Sequence, residues 1–410
     1  MKRFIQLPLF FTLTLIFFSP GFLRTNAQTG NDESMEEVID RSLEFCIQQS
    51  MLMARSLADK PGVLPKTTDR FGNLETCNPD WWVSGFFPGQ LWYLHEYSGN
   101  PELLRWAREY TARVAGQQYN RNSHDVGFMI YCSSGNGYRI TGDTLYKKAI
   151  YNAASSLTTR FNEKIGCTRS WDPAPFSSQW QFAVIIDNMM NLELLMKAAE
   201  EFNEPRFREV AITHANTTLK NHYRPDYSCY HVVSYDTITG KPEKKQTAQG
   251  YADNSAWARG QAWGLYGYTL MYRFTKDTAY LNLASRIARF MINHPNMPAD
   301  YIPYWDFNAP NIPDTYRDAS AASIMCSALI ELSDYVADDL AGKLLAVAKT
   351  QLLTLSTPLY QNAPGNNGNF LLKHSVGHMP NNTEVDVPLT YADYYFVEAL
   401  LRYKTHVNAW

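Results

Sequence analysis

The stretch QFAVIIDNMMNLELLMKAAEEFNEPR, Gln181 to Arg206, decides how the rest of the chain is read. Phe182, Ile185, Ile186, Met189, Leu192, Leu195, Met196 and Ala199 recur at steps of three and four, while Val184, Met190 and Leu194 fill the other faces. The pattern predicts a helix over 180–202, apolar nearly all round and buried on every side. Asp187 falls in its first turns. A carboxylate in such surroundings takes a partner or shifts its pKa upward, because an uncompensated buried charge is costly. Its structural reading is an acid bonded to Asn188, Asn191 or a neighbouring helix. Its functional reading is an ionisable group at the centre of a pocket.

Outward from this helix, one kind of turn recurs: YSGNPELL at 97–104, ITGDTLYK at 140–147, FNEPRF at 202–207, FTKDTAYL at 274–281 and YVADDLAG at 335–342. In each, an apolar-periodic segment stops at a short element and an Asp, Glu, Asn or Pro opens the next. The segments so bounded predict helices over 34–58, 86–98, 101–118, 126–140, 143–160, 180–202, 205–222, 258–275, 278–293, 318–336, 339–356 and 390–403, with almost no alternation suited to long strands. Twelve helices paired with their neighbours give an all-α toroid of six hairpins, an inner ring inside an outer one; an open solenoid would show a tighter, more uniform repeat. The long connections 162–179, 223–257, 293–317 and 360–389 all precede helices of the inner ring. They are rich in Trp, Tyr, Pro, Asp and Asn, and therefore read as an ordered functional rim rather than linkers.

Met1-Lys2-Arg3, the apolar run Phe4 to Phe18 and the small-residue exit Thr25-Asn26-Ala27 have the form of a secretory leader, so 1–27 reads as a signal peptide and 28–410 as a single domain. The first cysteine is Cys46, which leaves no lipoprotein anchor; an exported, periplasmic protein without a membrane anchor, monomeric or weakly dimeric, is expected. Net charge is −3 from 37 basic and 40 acidic residues, so no basic footprint for nucleic acid exists. The six cysteines, 46, 77, 132, 167, 229 and 326, lack zinc-ligand spacing, and three lie in apolar helical runs where buried free thiols are usual.

Nucleophile elbows, phosphate loops and metal-spaced His/Asp clusters are all missing from the sequence, which leaves carboxylates among aromatics. Asp125, in NSHDVGFMIY beside His124, is either an N-cap or a carboxylate at a pocket mouth. Trp82, Trp171, Trp180, Trp257, Trp263 and Trp305 cluster near helix starts, a distribution suited to stacking on pyranose faces as well as to core packing. In QTAQGYADNSAWARGQAWGLYGY, 246–268, Arg259 heads an apolar helix and needs an anion, either a protein carboxylate such as Asp253 or a carboxylate on a substrate. His231 is a further donor or a structural histidine.

SHDVGFMIY, IIDNMMNLELL, YADNSAWARGQAWGLYGY and the terminal ADYYFVEALL resemble, in the same order and at similar separations, segments of the unsaturated glucuronyl hydrolases, glycoside hydrolase family 88. The resemblance spans nearly the whole chain from DWWVSGFFPGQLW onward. It implies an (α/α)6 barrel, Asp187 as general acid/base and Asp125 as the second essential carboxylate. It also implies contacts to an unsaturated uronate from Trp82, Trp171, His231, Gln249, Trp257, Arg259 and Trp263, with His124 beside Asp125. No metal or organic cofactor is implied, and the expected partners are oligosaccharides ending in a 4,5-unsaturated uronic acid of glycosaminoglycan type. Related alternatives are an unsaturated rhamnogalacturonyl hydrolase and a non-catalytic glycan binder. Members accepting certain sulfated disaccharides share a Ser-x-x-Ser-x-Lys segment before the last helix; here His378, Asn381 and Thr383 stand in those places. Nearby Lys373, His374 and His378 could serve another anion or be surface charge.

Overall fold

The computed structural model describes Met1 and residues 33–408, with side chains through 406, and the leader read over 1–27 therefore lies outside the described residues apart from Met1. Met35 onward forms one compact unit. Its helices are α1 (Met35–Ser56), α2 (Phe86–Ser98), α3 (Pro101–Val114), α4 (Asn136–Thr141), α5 (Thr144–Thr158), α6 (Asn188–Phe202), α7 (Pro205–Asn221), α8 (Ala258–Thr275), α9 (Thr278–Asn293), α10 (Ala319–Ser333), α11 (Asp338–Leu355) and α12 (Thr390–Asn408). A π-helical segment, Gly127–Gly135, leads directly into α4.

The recurring turns work as their residues suggest. Gly99, Gly142, Asn203 and Lys276 end their helices in the left-handed conformation. The side chains of Asn100, Asp143, Glu204 and Asp277 then accept the backbone N–H of the second residue of the following helix. A helix stopped and restarted within a few residues can only fold back on itself, so each turn makes an antiparallel pair.

Packing closes these pairs into a ring. Going round it, α2 contacts the π segment, the π segment α6, then α6 α8, α8 α10, α10 α12, and α12 returns to α2. The odd-numbered helices pack outside. This is an (α/α)6 barrel. Inner helices are covered on all sides, as the absence of a polar face predicted: every residue of α10 is buried, as is α8 from Ala258 to Met271. Where α8 meets α6 the backbones approach closely, and a Cβ on Gly267 would lie 2.4 Å from that of Met189.

The strands among the described residues are two to five residues long, in keeping with the lack of alternation suited to long strands. Hairpins β1 (Leu64–Thr68) with β2 (Leu74–Cys77), β3 (Phe161–Asn162) with β4 (Cys167–Thr168), and β8 (Ser375–His378) with β9 (Thr383–Val387) accompany a three-stranded antiparallel sheet of β5 (Ala183–Ile185), β6 (Val232–Tyr235) and β7 (Pro242–Gln246). All lie in connections that precede inner helices, so they build the rim at the N-terminal ends of the inner ring. The helix predicted over 180–202 is corrected here. Its first third is β5, paired with β6 in the register Ala183↔Ser234 and Ile185↔Val232, and α6 begins only at Asn188. Asp187 therefore stands at the junction, ahead of the helix rather than within its first turns.

Candidate active site

Each inner helix delivers a residue to the same rim: Trp82 just before α2, Asp125 before the π segment, Asp187 before α6, Arg259 in α8, Asp318 before α10 and Tyr391 in α12. Convergent helix N-termini make this mouth favourable to an anion.

Asp187 is 9% exposed and its Oδ2 is buried with no hydrogen-bond partner. Burial pushes its pKa up to about 7; Arg259 opposes the rise, while the charge of Asp125 adds to it. Asp125 is also pushed up to about 7 by burial, against the hydrogen bond from Asn191 and the charge of Arg160. The two carboxyls thus share a poorly hydrated site. Asp125 does not cap the segment it begins. Its carboxylate faces Asn191 Nδ2 at 3.4 Å and His124 Nε2 at 3.3 Å. His124 is 2% exposed and burial lowers its pKa to about 3, so it is a neutral support behind Asp125.

His231 immediately precedes β6, and its carbonyl accepts the N–H of Ile186, which joins it to the strand leading into Asp187. Its Nδ1 accepts the backbone N–H groups of Ala248 and Gln249 at 3.1 and 3.2 Å. A ring nitrogen that accepts cannot carry the proton, so the proton sits on Nε2. Burial holds the ring neutral, well below the usual histidine pKa. Nε2 has no partner and points to Asp187 Oδ2 at 3.8 Å.

Arg259 resolves the choice left open by the sequence: its carboxylate partner is Asp318, at 3.3 Å, and not Asp253, which instead accepts the N–H of Thr247. The carbonyls of Val376 and Gly377 and Gln249 Oε1 take its remaining Nη hydrogens, and its guanidinium lies over the rings of Trp257 and Tyr391 at 4.6 and 5.3 Å. The aromatics then run without a gap: Trp171 to His231 at 5.9 Å, His231 to Trp257 at 4.5 Å, and from Tyr391 to Trp82 at 4.9 Å. Phe128 joins Trp82 to Trp263 at 5.8 and 5.3 Å. Trp263 Nε1 and Tyr391 Oη are, like the atoms above, buried and unpaired. A cluster of unpaired buried donors and acceptors between two carboxyls is what a polar ligand would complete.

A cavity of about 1410 Å³ opens at the opposite mouth, lined by Tyr93, Arg139, Glu193, Arg273, Glu331 and Arg402 among others. Its charges already pair with one another, Arg273 with Glu193 and Glu331, Arg402 with Glu331 and Glu398. Among the described residues, none of its lining side chains has a buried polar atom left unpaired like those of the rim.

The family model for Glycosyl Hydrolase Family 88 matches residues 64–278. The chain belongs to glycoside hydrolase family 88. It is 47% identical to an unsaturated glucuronyl hydrolase of Formosa agariphila over 78% of this chain and 79% of that one. With an unsaturated chondroitin disaccharide hydrolase of Streptococcus agalactiae it shares 32% identity, over 78% of this chain and 81% of the relative. Among solved structures, an unsaturated glucuronyl hydrolase specific for heparin superposes with a TM-score of 0.88 at 48% identity, covering 91% of this chain and 98% of that one. The unsaturated glucuronyl hydrolase of Bacillus sp. GL1 gives 0.81 at 29%, covering 90% and 96%.

For a family 88 glycoside hydrolase the sequence-predicted residues gather well: Asp187, Asp125, Trp82, Trp171, His231, Gln249, Trp257, Arg259 and Trp263 all border one rim, with His124 behind. Lys373 and His374 are committed elsewhere, to the carbonyl of Pro358 and to Asp386. Sequence reasoning missed Asp318 and Tyr391. Asp318 could have been suspected as the acid opening an inner helix, whereas the carbonyls of Val376 and Gly377 carry no sequence signal. All six cysteines are buried and free.

Proposed function

We propose that this enzyme removes the 4,5-unsaturated uronic acid from the non-reducing end of lyase-generated glycosaminoglycan oligosaccharides, with Asp187 as general acid/base. The observation that carries the reading is Asp187 itself, a carboxyl raised to about 7 by burial, unpaired at Oδ2 and ringed by aromatics. Near neutrality such a group holds a proton and can later take one back.

The C4=C5 bond of the substrate is a vinyl ether. Asp187 donates its proton to C4, and the cation formed at C5 is stabilised by the ring oxygen. Water adds at C5 while the Asp187 carboxylate accepts its proton. The resulting hemiketal opens to the C5 ketone, C1 becomes an aldehyde, and the neighbouring sugar leaves with its oxygen. Because the anomeric carbon is never attacked, the carboxylate spacing that separates retention from inversion has no bearing. Asp125 accepts hydrogen bonds from the sugar hydroxyls. Gln249, whose Oε1 is held by Arg259, has its amide N–H groups for the uronate, and the aromatic belt stacks on the ring.

Heparin-type disaccharides are the favoured substrate class, supported by 48% identity to the heparin-specific enzyme against 32% to the chondroitin enzyme. Export to the periplasm belongs to the same proposal, on the leader pattern of residues 1–27. Loss of ultraviolet absorbance from a panel of unsaturated heparin, chondroitin and hyaluronan disaccharides tests the substrate. Turnover of chondroitin disaccharide above heparin disaccharide would remove the preference, and saturable binding without absorbance loss on any of them would remove the activity.

A further inference from the structure

Asn191 lies one helical turn beyond Asp187 on α6, facing the loop that carries Asp125. Its Oδ1 accepts the backbone N–H of Phe128 at 3.0 Å, and its Nδ2 approaches Asp125 Oδ1 at 3.4 Å. The orientation of the amide follows from chemistry. A backbone N–H can only donate, so the atom opposite Phe128 must be oxygen, which turns the NH2 group toward Asp125. Asp125 Oδ1 is therefore an acceptor, so a proton on this carboxyl would have to sit on Oδ2, the oxygen 3.3 Å from His124 Nε2. The approach is close enough to demand glycine at 127: a Cβ there would lie 2.5 Å from Asn191 Oδ1 and 2.8 Å from its Cα.

We propose that Asn191 is a positioning residue that decides which of the two carboxyls carries the working proton, keeping Asp125 as acceptor and leaving the proton to Asp187. The inference rests on the proposed role of Asp187. The groups facing each carboxyl bear on where the proton sits. Asp125 is faced by His124, Ser123, Arg160 at the end of the α5 hairpin, Asn191 and the charge of Asp187; of these, Asn191 and Arg160 both favour its ionised form. Arg160 is itself bound to Asp172 at 3.0 Å, and the Asn191 amide is the largest influence opposing the effect of burial on Asp125. Asp187 is faced by Arg259, Asp125, His231 and Trp263. Burial and the charge of Asp125 favour the protonated form of Asp187, against Arg259 and the indole N–H of Trp263.

One proton shared by the pair is active only on Asp187. Without the Asn191 amide, Asp125 becomes a better base and captures part of that proton. Asn191→Leu should raise the acid limb of the kcat/KM profile by about one pH unit and lower kcat by about tenfold, the scale of one lost hydrogen bond to a charged group. KM should change little. A merely structural asparagine would scale the profile without moving the limb, and that result overturns the proposal. Infrared difference spectra of the whole enzyme near pH 6 supply a test that does not need this variant to fold: over the constant band of buried Asp393, which burial raises to about 8, the carboxylic-acid carbonyl band of the pair should vanish in Asp187→Asn and persist in Asp125→Asn. The reverse pattern, or no such band, overturns it equally. If Asp187→Asn still consumes substrate, it is the role of Asp187 that fails; if that variant is inactive and the limb stays put in Asn191→Leu, only the role of Asn191 fails.

Discussion

His231 Nε2 stands 3.8 Å from Asp187 Oδ2, and neither atom has a hydrogen-bond partner. With Nδ1 occupied by two backbone N–H groups, His231 is a fixed neutral donor rather than a titrating base. His231→Phe, which keeps the ring contacts with Trp171 and Trp257, should lower kcat/KM by about 10²-fold, on the scale of one preorganised donor. His231→Gln should retain more activity than the phenylalanine variant. Neither should remove a limb from the pH profile, because the imidazole never charges between pH 5 and 8. Disappearance of a limb in either variant would contradict the neutral assignment.

Asp187→Asn should abolish turnover, by about 10²–10⁴-fold, the usual weight of general acid/base catalysis. Absorbance decay of an unsaturated disaccharide measures this, and unchanged binding in calorimetry separates lost chemistry from lost affinity.

The same variant should be more stable than the wild type, with a pH dependence of known sign. Asp187 has a folded-state pKa raised from 3.8 to about 7, so its contribution to stability is fully present below pH 4 and is lost as pH rises through 7. An amide does not titrate. The stability gained by Asp187→Asn therefore grows between pH 4 and pH 7 and levels off above. It reaches about 2–4 kcal/mol, because each pH unit separating the folded and unfolded pKa values is worth roughly 1.4 kcal/mol. Denaturant melts at pH 5 and pH 8 check it; an equal gain at both would mean that the pKa of Asp187 is not displaced.

These outcomes depend on features that the sequence revealed unevenly. The ring of helices was legible because inner and outer segments differ in periodicity and because Gly99-Asn100, Gly142-Asp143 and Lys276-Asp277 punctuate them with their own chemistry. The segment 181–187 was not, since Phe182 to Ile186 is apolar on both faces and a buried strand of that length reads like a helix start. Only pairing with β6, some fifty residues away, decides between them. At the site, Asp125 and Asp187 stood out as acids among apolar residues. The grip on Arg259 did not, because two of its holders are backbone carbonyls of Val376 and Gly377 more than a hundred residues on.

Gly267→Ala tests the inner ring away from the chemistry. The added methyl would sit 2.4 Å from Met189 Cβ, with Met189 backbone atoms next nearest at 3.3 and 3.4 Å, so α6 and α8 must separate rather than let one flexible side chain turn aside. Overpacking of this kind costs about 1–3 kcal/mol, occasionally more. Because Met189 is two residues after Asp187, displacement of α6 also moves the acid against Asp125 and His231. The variant should thus lose stability in a thermal melt and lose kcat more than KM. A stability loss with kcat unchanged would mean that the rim hydrogen bonds of Asn188 to Thr168 and Ser170, at 2.8 and 2.9 Å, hold the head of α6 in place independently of its packing against α8.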